Sequence, residues 1–91
     1  MKVTVTIPTV LKEYTRGSSE VEVDASTVGE AVLRLDELFP GLQAFLLDEA
    51  KQLRRFVNIF VDRRDIRSVE GLTTKLKDGD RIQIIPAVAG G

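Results

Sequence analysis

Thr27-Val28-Gly29-Glu30-Ala31-Val32-Leu33-Arg34-Leu35-Asp36-Glu37-Leu38-Phe39 decides the fold, because it reads as one amphipathic helix. Thr27 suits the N-cap and Glu30 the third helical position, the two halves of a capping box in which each side chain satisfies an orphan backbone N–H. Val28, Ala31, Val32, Leu35, Leu38 and Phe39 recur at helical spacing and make one apolar stripe, with Arg34, Asp36 and Glu37 on the wet face. Phe39-Pro40-Gly41 stops the helix. A helix with one apolar stripe needs one apolar surface to cover, and the flanking segments supply it as strands.

Before the helix, Lys2 to Ile7 alternates, with Val3, Val5 and Ile7 on one face and Lys2, Thr4 and Thr6 on the other. Pro8 ends this strand or marks an edge. Arg16-Gly17-Ser18-Ser19 supplies turn residues, and Glu20 to Asp24 alternates again with Val21 and Val23 inward. The two strands read as an antiparallel hairpin with a long connection.

After the helix, Leu42 to Leu47 reads as a short second helix or an apolar loop, and Asp48 to Leu53 as a polar, exposed segment. Arg55 to Val61 reads as a strand with large groups on both faces. Asn58 is costly to bury without partners. We therefore turn Val57, Ile59 and Val61 inward and Phe56, Asn58 and Phe60 outward. Asp62 to Arg64 makes a turn before a short strand at Asp65 to Arg67, and Thr73 to Leu76 a single helical turn. Lys77-Asp78-Gly79-Asp80 is a turn, with Gly79 free to take a positive φ. Arg81 to Ile85 is the last strand, with Ile82 and Ile84 inward.

One helix on one face of a mixed sheet of four to five strands is a two-layer α+β solution. Placing the last strand beside the first, in parallel, gathers Val3, Val5, Ile82 and Ile84 at the centre. That arrangement is the β-grasp, or ubiquitin-like, roll. Its other sheet face lacks a helix. Phe56, Phe60 and Ile85 can form an apolar patch there, of the kind that marks a partner site. The alternative is that residues 42–53 fold over this face and bury it. We take the patch as a docking surface.

The 91 residues suit one domain, 43% hydrophobic and 30% charged, with a net charge of −1. That charge gives no sign of the positive field nucleic acid needs. Lys51, Arg54 and Arg55 form one basic cluster and Arg63, Arg64 and Arg67 another, with Asp48, Glu49, Asp62 and Asp65 close beside them. We read these as solvated surface, the alternative being a docking site for an acidic partner. No apolar run approaches the roughly 20 residues of a membrane span, and Met1 to Val5 lacks the apolar block of a signal peptide, so the cytoplasm is the expected compartment. The sequence contains neither Cys nor His. Thiol chemistry, zinc-thiolate and iron–sulfur sites and a His general base are thereby excluded. No resident cofactor or metal is expected, and the chain is poorly equipped as an independent enzyme.

The ending is the remaining place for chemistry. Residues 1–86 read as the folded domain, and Ala87-Val88-Ala89-Gly90-Gly91 as a flexible tail of small residues. Gly90 and Gly91 carry no Cβ and can lie against a partner's backbone. Fully extended, residues 87–91 reach about 15–18 Å. That length can deliver the Gly91 carboxylate, the candidate reactive group, into a narrow active-site channel.

Element order, size and the Pro86-to-Gly91 ending together resemble the sulfur-carrier family MoaD/ThiS over essentially the whole chain. The most specific parts are Thr27-Val28-Gly29-Glu30-Ala31, Lys77-Asp78-Gly79-Asp80 and the Gly-Gly terminus. Arg55-Phe56-Val57-Asn58-Ile59-Phe60-Val61, with the ending, is most similar to the cysteine-synthesis, CysO-type branch. The resemblance implies an E1-like adenylating enzyme that joins the Gly91 carboxylate to AMP from ATP. Sulfur then displaces AMP to leave a thiocarboxylate. In the cysteine branch it further implies a PLP-dependent cysteine synthase as sulfur acceptor and a zinc metalloprotease that releases the product. ATP, PLP and zinc would all belong to partners. Sulfur donation for molybdopterin or thiosugar synthesis is the alternative pathway, and a ubiquitin-like protein modifier the alternative class.

Overall fold

Two alternating segments, Lys2–Thr6 (β1) and Glu20–Asp24 (β2), pair antiparallel from Lys2 opposite Asp24 to Thr6 opposite Glu20 in the computed structural model, which describes residues 1–86. Helices Val28–Leu38 (α1) and Leu42–Leu46 (α2) follow, then strands Val57–Val61 (β3), Arg64–Asp65 (β4) and Arg81–Pro86 (β5). The sheet has five strands in the order β2-β1-β5-β3-β4. β5 runs parallel to β1 and antiparallel to β3. This is the β-grasp roll, and its core lies between the sheet and α1, where Val3, Val5, Val28, Leu35, Val57, Ile59 and Ile84 are buried.

The parallel β1–β5 pair is placed by the turn before β5. Gly79 adopts φ +89°, a conformation costly for residues with a Cβ. Its N–H donates to the Lys2 carbonyl at 2.8 Å, and the Lys2 N–H donates to Asp78 Oδ1 at 2.8 Å. The Thr4 N–H donates to the Asp80 carbonyl at 3.0 Å. The register Thr4 opposite Arg81 is thus fixed before the strand proper begins.

The helix cap differs in one bond from the expected box. The Glu30 N–H donates to Thr27 Oγ1 at 3.1 Å, but the Glu30 carboxylate accepts from Ser26, one residue before the cap. Ser26 and Thr27 lie beside Thr74 to Leu76, joined by the bond from the Leu76 N–H to the Ser26 carbonyl and that from the Val28 N–H to the Thr74 carbonyl. Val28, Ala31, Val32 and Leu35 are buried as expected, whereas Leu38 is 52% exposed. At 100° per residue Leu38 stands about 70° off the axis of that stripe, on its shoulder. Asp36, read as a wet-face residue, also holds the next element in place. Its Oδ1 accepts from the Gly41 and Gln43 N–H groups at 3.1 and 3.0 Å and caps α2.

Besides single-residue shifts at the ends of β1 and β5, three other elements moved by more. β3 begins at Val57, not Arg55, because the Val57 N–H closes a turn onto the Arg54 carbonyl at 3.0 Å. The short strand is Arg64–Asp65, since Asp62 and Arg63 both take positive φ in a tight hairpin turn and Ile66 then drops into the core. The expected helical turn at Thr73 to Leu76 lies at Gly71–Thr73, as a 3-10 turn.

The connection between β1 and β2 is more than a spacer. A 3-10 turn at Thr9–Leu11 drives Leu11 fully into the core, and the buried Thr15 hydroxyl donates to the Ser18 carbonyl at 2.8 Å. Leu11→Ala should therefore destabilise the fold by about 2–5 kcal/mol, as large-to-small core changes do. Urea unfolding checks this; a loss within about 0.5 kcal/mol of zero, the range of ordinary surface changes, would mean the connection is a dispensable loop.

At the other end of β1 the Met1 ammonium lies 2.8 Å from Asp24 Oδ1. The hydrogen bond that the ammonium donates to Asp24 raises the amine's pKa, and the same bond lowers that of the carboxyl. A raised amine pKa favours folding below its ordinary range and ceases to as pH climbs through the raised value. The lowered carboxyl favours folding above the ordinary carboxylate range and ceases to as pH falls through the lowered value. The pair therefore operates between those limits, across neutrality. Asp24→Asn should return the amine's titration toward its usual range, read by NMR of the Met1 resonances; an unmoved titration would show that the pair does not persist in water.

Candidate functional site

The site is the end of β5 together with the helix-free face of the sheet. β5 lies between β1 and β3, and its pairing with β1 runs from Arg81 to Gln83. Pairing with β3 continues to the end, with Ile85 opposite Asn58 and Pro86 opposite Val57. The strand's final residues are thus anchored from the β3 side. Residues Ala87, Val88, Ala89, Gly90 and Gly91, the tail expected to carry the reactive carboxylate, lie outside the described residues.

Strand alternation decides what the open face presents. Val57, Ile59 and Val61 are buried, so Asn58 and Phe60 point the other way; Ile82 and Ile84 are buried, so Arg81, Gln83 and Ile85 do. Phe60 stands opposite Gln83, which makes Ile85 its diagonal neighbour. Such neighbours are about 7–8 Å apart, within reach of an aromatic ring. Phe60 and Ile85 therefore form a continuous apolar stretch, with Ile85 44% exposed and Phe60 half-buried. Phe56 is 50% exposed but sits on the turn ahead of β3, beside the end of β5 rather than in the strand row. With Asp48, Arg54 and Arg55 it lines a shallow hollow of about 620 Å³.

The segment 42–53 does not cover this face. Leu42 and Leu46 are fully buried and α2 packs beside α1, on the helix side of the sheet. Arg54 closes this segment: its N–H donates to the Leu46 carbonyl at 3.0 Å and its Nε to the Ala44 carbonyl at 3.0 Å.

A polar clamp on the open face had no sequence signal. Arg67 Nη1 donates to Asn58 Oδ1 at 2.9 Å, and its Nη2 donates to the Arg54 carbonyl at 2.7 Å. The outward Asn58, placed there to avoid burial, is thus satisfied by a side chain from beyond β4. Across the sheet the β2 edge turns Glu20, Glu22 and Asp24 to solvent. The open face therefore carries acids along β2, of which Asp24 is matched by the Met1 amine and Glu20 by Arg81, an apolar stretch at Phe60 and Ile85, and the Arg67 guanidinium. Among the described residues no group of metal-ligating side chains large enough to hold an ion occurs, and no helix is long and apolar enough to cross a membrane.

A β-grasp roll with its last strand central and one sheet face open defines the ubiquitin-like class. A family model described as the ThiS family matches residues 5–91. The sulfur carrier protein CysO of Mycobacterium tuberculosis is 42% identical over 93 aligned positions, covering all of both chains. A chain of the crystal structure of the Amycolatopsis orientalis BexX/CysO complex superposes with a TM-score of 0.92 at 43% identity, covering 98% of this chain and 99% of that one. The solution structure of small archaeal modifier protein 1 from Methanosarcina acetivorans gives 0.85 at 31% identity, over 99% and 96%. The chain belongs to the ThiS family, and the resemblance to its CysO-type branch read from the sequence holds.

Proposed function

We propose that this chain is a sulfur carrier of the CysO type, a protein co-substrate whose Gly91 carboxylate is the reactive group. An identity of 42% over the full length of a sulfur carrier protein CysO is the observation that carries the reading. The anchored end of β5 beside an open apolar face supports it, because a partner can grip the domain there while the tail enters its active site.

The chemistry follows from the group. A Gly91 carboxylate oxygen attacks the α-phosphorus of ATP in an E1-like enzyme, and pyrophosphate leaves. A sulfide-level donor then attacks the acyl carbon, AMP leaves, and a thiocarboxylate remains. Gly90 and Gly91 leave the acyl carbon uncrowded on both faces. The acceptor we favour is a PLP-dependent cysteine synthase, with a zinc metalloprotease releasing the product. Phe56, Phe60 and Ile85 serve as the docking patch, since a few apolar anchors dominate most interfaces.

A second reading, a ubiquitin-like modifier joined to lysines of other proteins, is favoured by the similarity to small archaeal modifier protein 1. It needs the same activation and differs in product.

Intact mass of the protein from its own cells, with fragmentation of the C-terminal peptide, tests the reading. Replacement of one Gly91 carboxylate oxygen by sulfur is expected, and an added cysteine there would identify the pathway. A plain carboxylate alone, even after incubation with ATP and the activating enzyme, would overturn it. Isopeptide-linked conjugates without thiocarboxylate would select the modifier reading.

Two variants probe the parts. Phe60→Ala should weaken binding to the activating enzyme by about 2 kcal/mol, roughly 30-fold. Calorimetric titration would read this, and unchanged affinity would remove Phe60 from the patch. Gly91→Ala should slow adenylation while leaving docking within about twofold. Wild-type turnover in pyrophosphate exchange would sink the steric argument.

A further inference from the structure

The Arg67 guanidinium is fixed in position and left without a counter-charge. Its bonds to Asn58 Oδ1 and the Arg54 carbonyl use only two of the five N–H donors an arginine carries. Asp65 is the nearest acid in sequence, yet it accepts from the Arg67 backbone N–H at 2.9 Å, not from the side chain. Among the described residues the ion pairs fall elsewhere: Met1 with Asp24, Arg34 with Glu30 and Glu37, and Arg81 with Glu20. Both acceptors of Arg67 are neutral, so its full charge remains and the side chain is exposed.

Arginine normally loses rotamer freedom when it binds an anion. Here the fold has already ordered the fork. It stands at Asn58, the residue opposite Ile85, with Phe60 next outward on the same strand. A carboxylate meeting it would do so at the margin of an apolar contact, where water is thinned and charge-assisted hydrogen bonds are strong. On the far side of the same face Asp24 is already matched by the Met1 amine and Glu20 by Arg81.

We propose that Arg67 is a preset carboxylate receptor that orients the enzyme activating the tail. That enzyme would present an apolar side chain to Phe60 and Ile85 and an Asp or Glu beside it to Arg67. The proposal rests on the carrier reading above, since it assumes that the activating enzyme docks on this face.

Pyrophosphate exchange with the E1-like adenylating enzyme of the same organism tests it, using wild-type chain, Arg67→Met, Asn58→Ala and, as a control on an exposed arginine of β4 that shares the inward face of Val61, Arg64→Met. Arg67→Met should raise the KM for the chain about tenfold or more with kcat within about twofold. Raising NaCl from about 50 to 300 mM should weaken wild-type binding and affect Arg67→Met far less. Asn58→Ala keeps the charge but frees the fork, so it should raise KM less and retain the salt dependence. Arg64→Met should match wild type in both. A wild-type KM for Arg67→Met would overturn the proposal. So would a raised KM with undiminished salt dependence, accompanied by the same change in Asn58→Ala and a lower Tm, because Arg67 would then only hold the turn at Arg54. Absence of exchange with the wild-type chain would overturn the carrier reading, and this proposal with it.

Discussion

Parallel pairing of β1 with β5 is the constraint on which the rest depends. It joins the two ends of the sequence, with most of the chain between them, so its loop-closure cost must be met by everything that folds in between. The turn at Lys77 to Asp80 fixes how those distant ends meet. Backbone and side-chain bonds from Asp78, Gly79 and Asp80 to Lys2 and Thr4 select one register. A slip of one residue would turn Ile82 and Ile84 to solvent and bring Arg81 and Gln83 against α1. Register therefore decides both the core and the identity of the outward face.

That pairing also gives the proposed reactive end at Gly91 a firm root in the domain. A terminal strand at a sheet edge frays easily. β5 is central, its buried Ile82 and Ile84 share one core cluster with Val28, Val32 and Leu35 of α1, and β1 and β3 flank it in the sheet. Force or strain applied through the residues beyond Pro86 is met by β3, which pairs with β5 to its last residue.

Much of this was legible in the sequence, because it rests on periodicity and capping. Val3, Val5, Val57, Ile59, Ile82 and Ile84 lie inward where alternation put them, and Thr27 caps α1 as its hydroxyl predicts. What escaped was non-local. Leu11 sits in a segment with no period, so only its position against the finished sheet reveals it as core. Asp36 looks like any wet-face carboxylate until the turn at Gly41 brings the α2 N–H groups to it. Arg67 was visible as charge, but its reach over β3 to Asn58 depends on the Asp62-Arg63 turn and on Ile66 entering the core. At the site, Phe60 and Ile85 followed from alternation. Phe56 was misassigned to the strand because the Arg54 carbonyl, which ends the pairing, is a backbone feature no side chain announces.

The open face keeps an apolar patch in view and surrounds it with charge. Phe60 and Ile85 could have been covered by the 42–53 segment, and the sequence permitted it. Instead Leu42 and Leu46 are committed to the core, and the face is bounded by Glu20, Glu22 and Asp24 on β2 and by Arg67 at Asn58. Self-association through the apolar stretch alone would give a two-fold contact, in which each copy's patch meets its own image. With charge divided across the face, whether such a contact sets acid against base or like against like depends on its rotation, and only some orientations are free of repulsion. A partner shaped to the pattern has no such restriction. Charged residues around the patch thus limit non-specific pairing of copies, and they are residues that the core does not need.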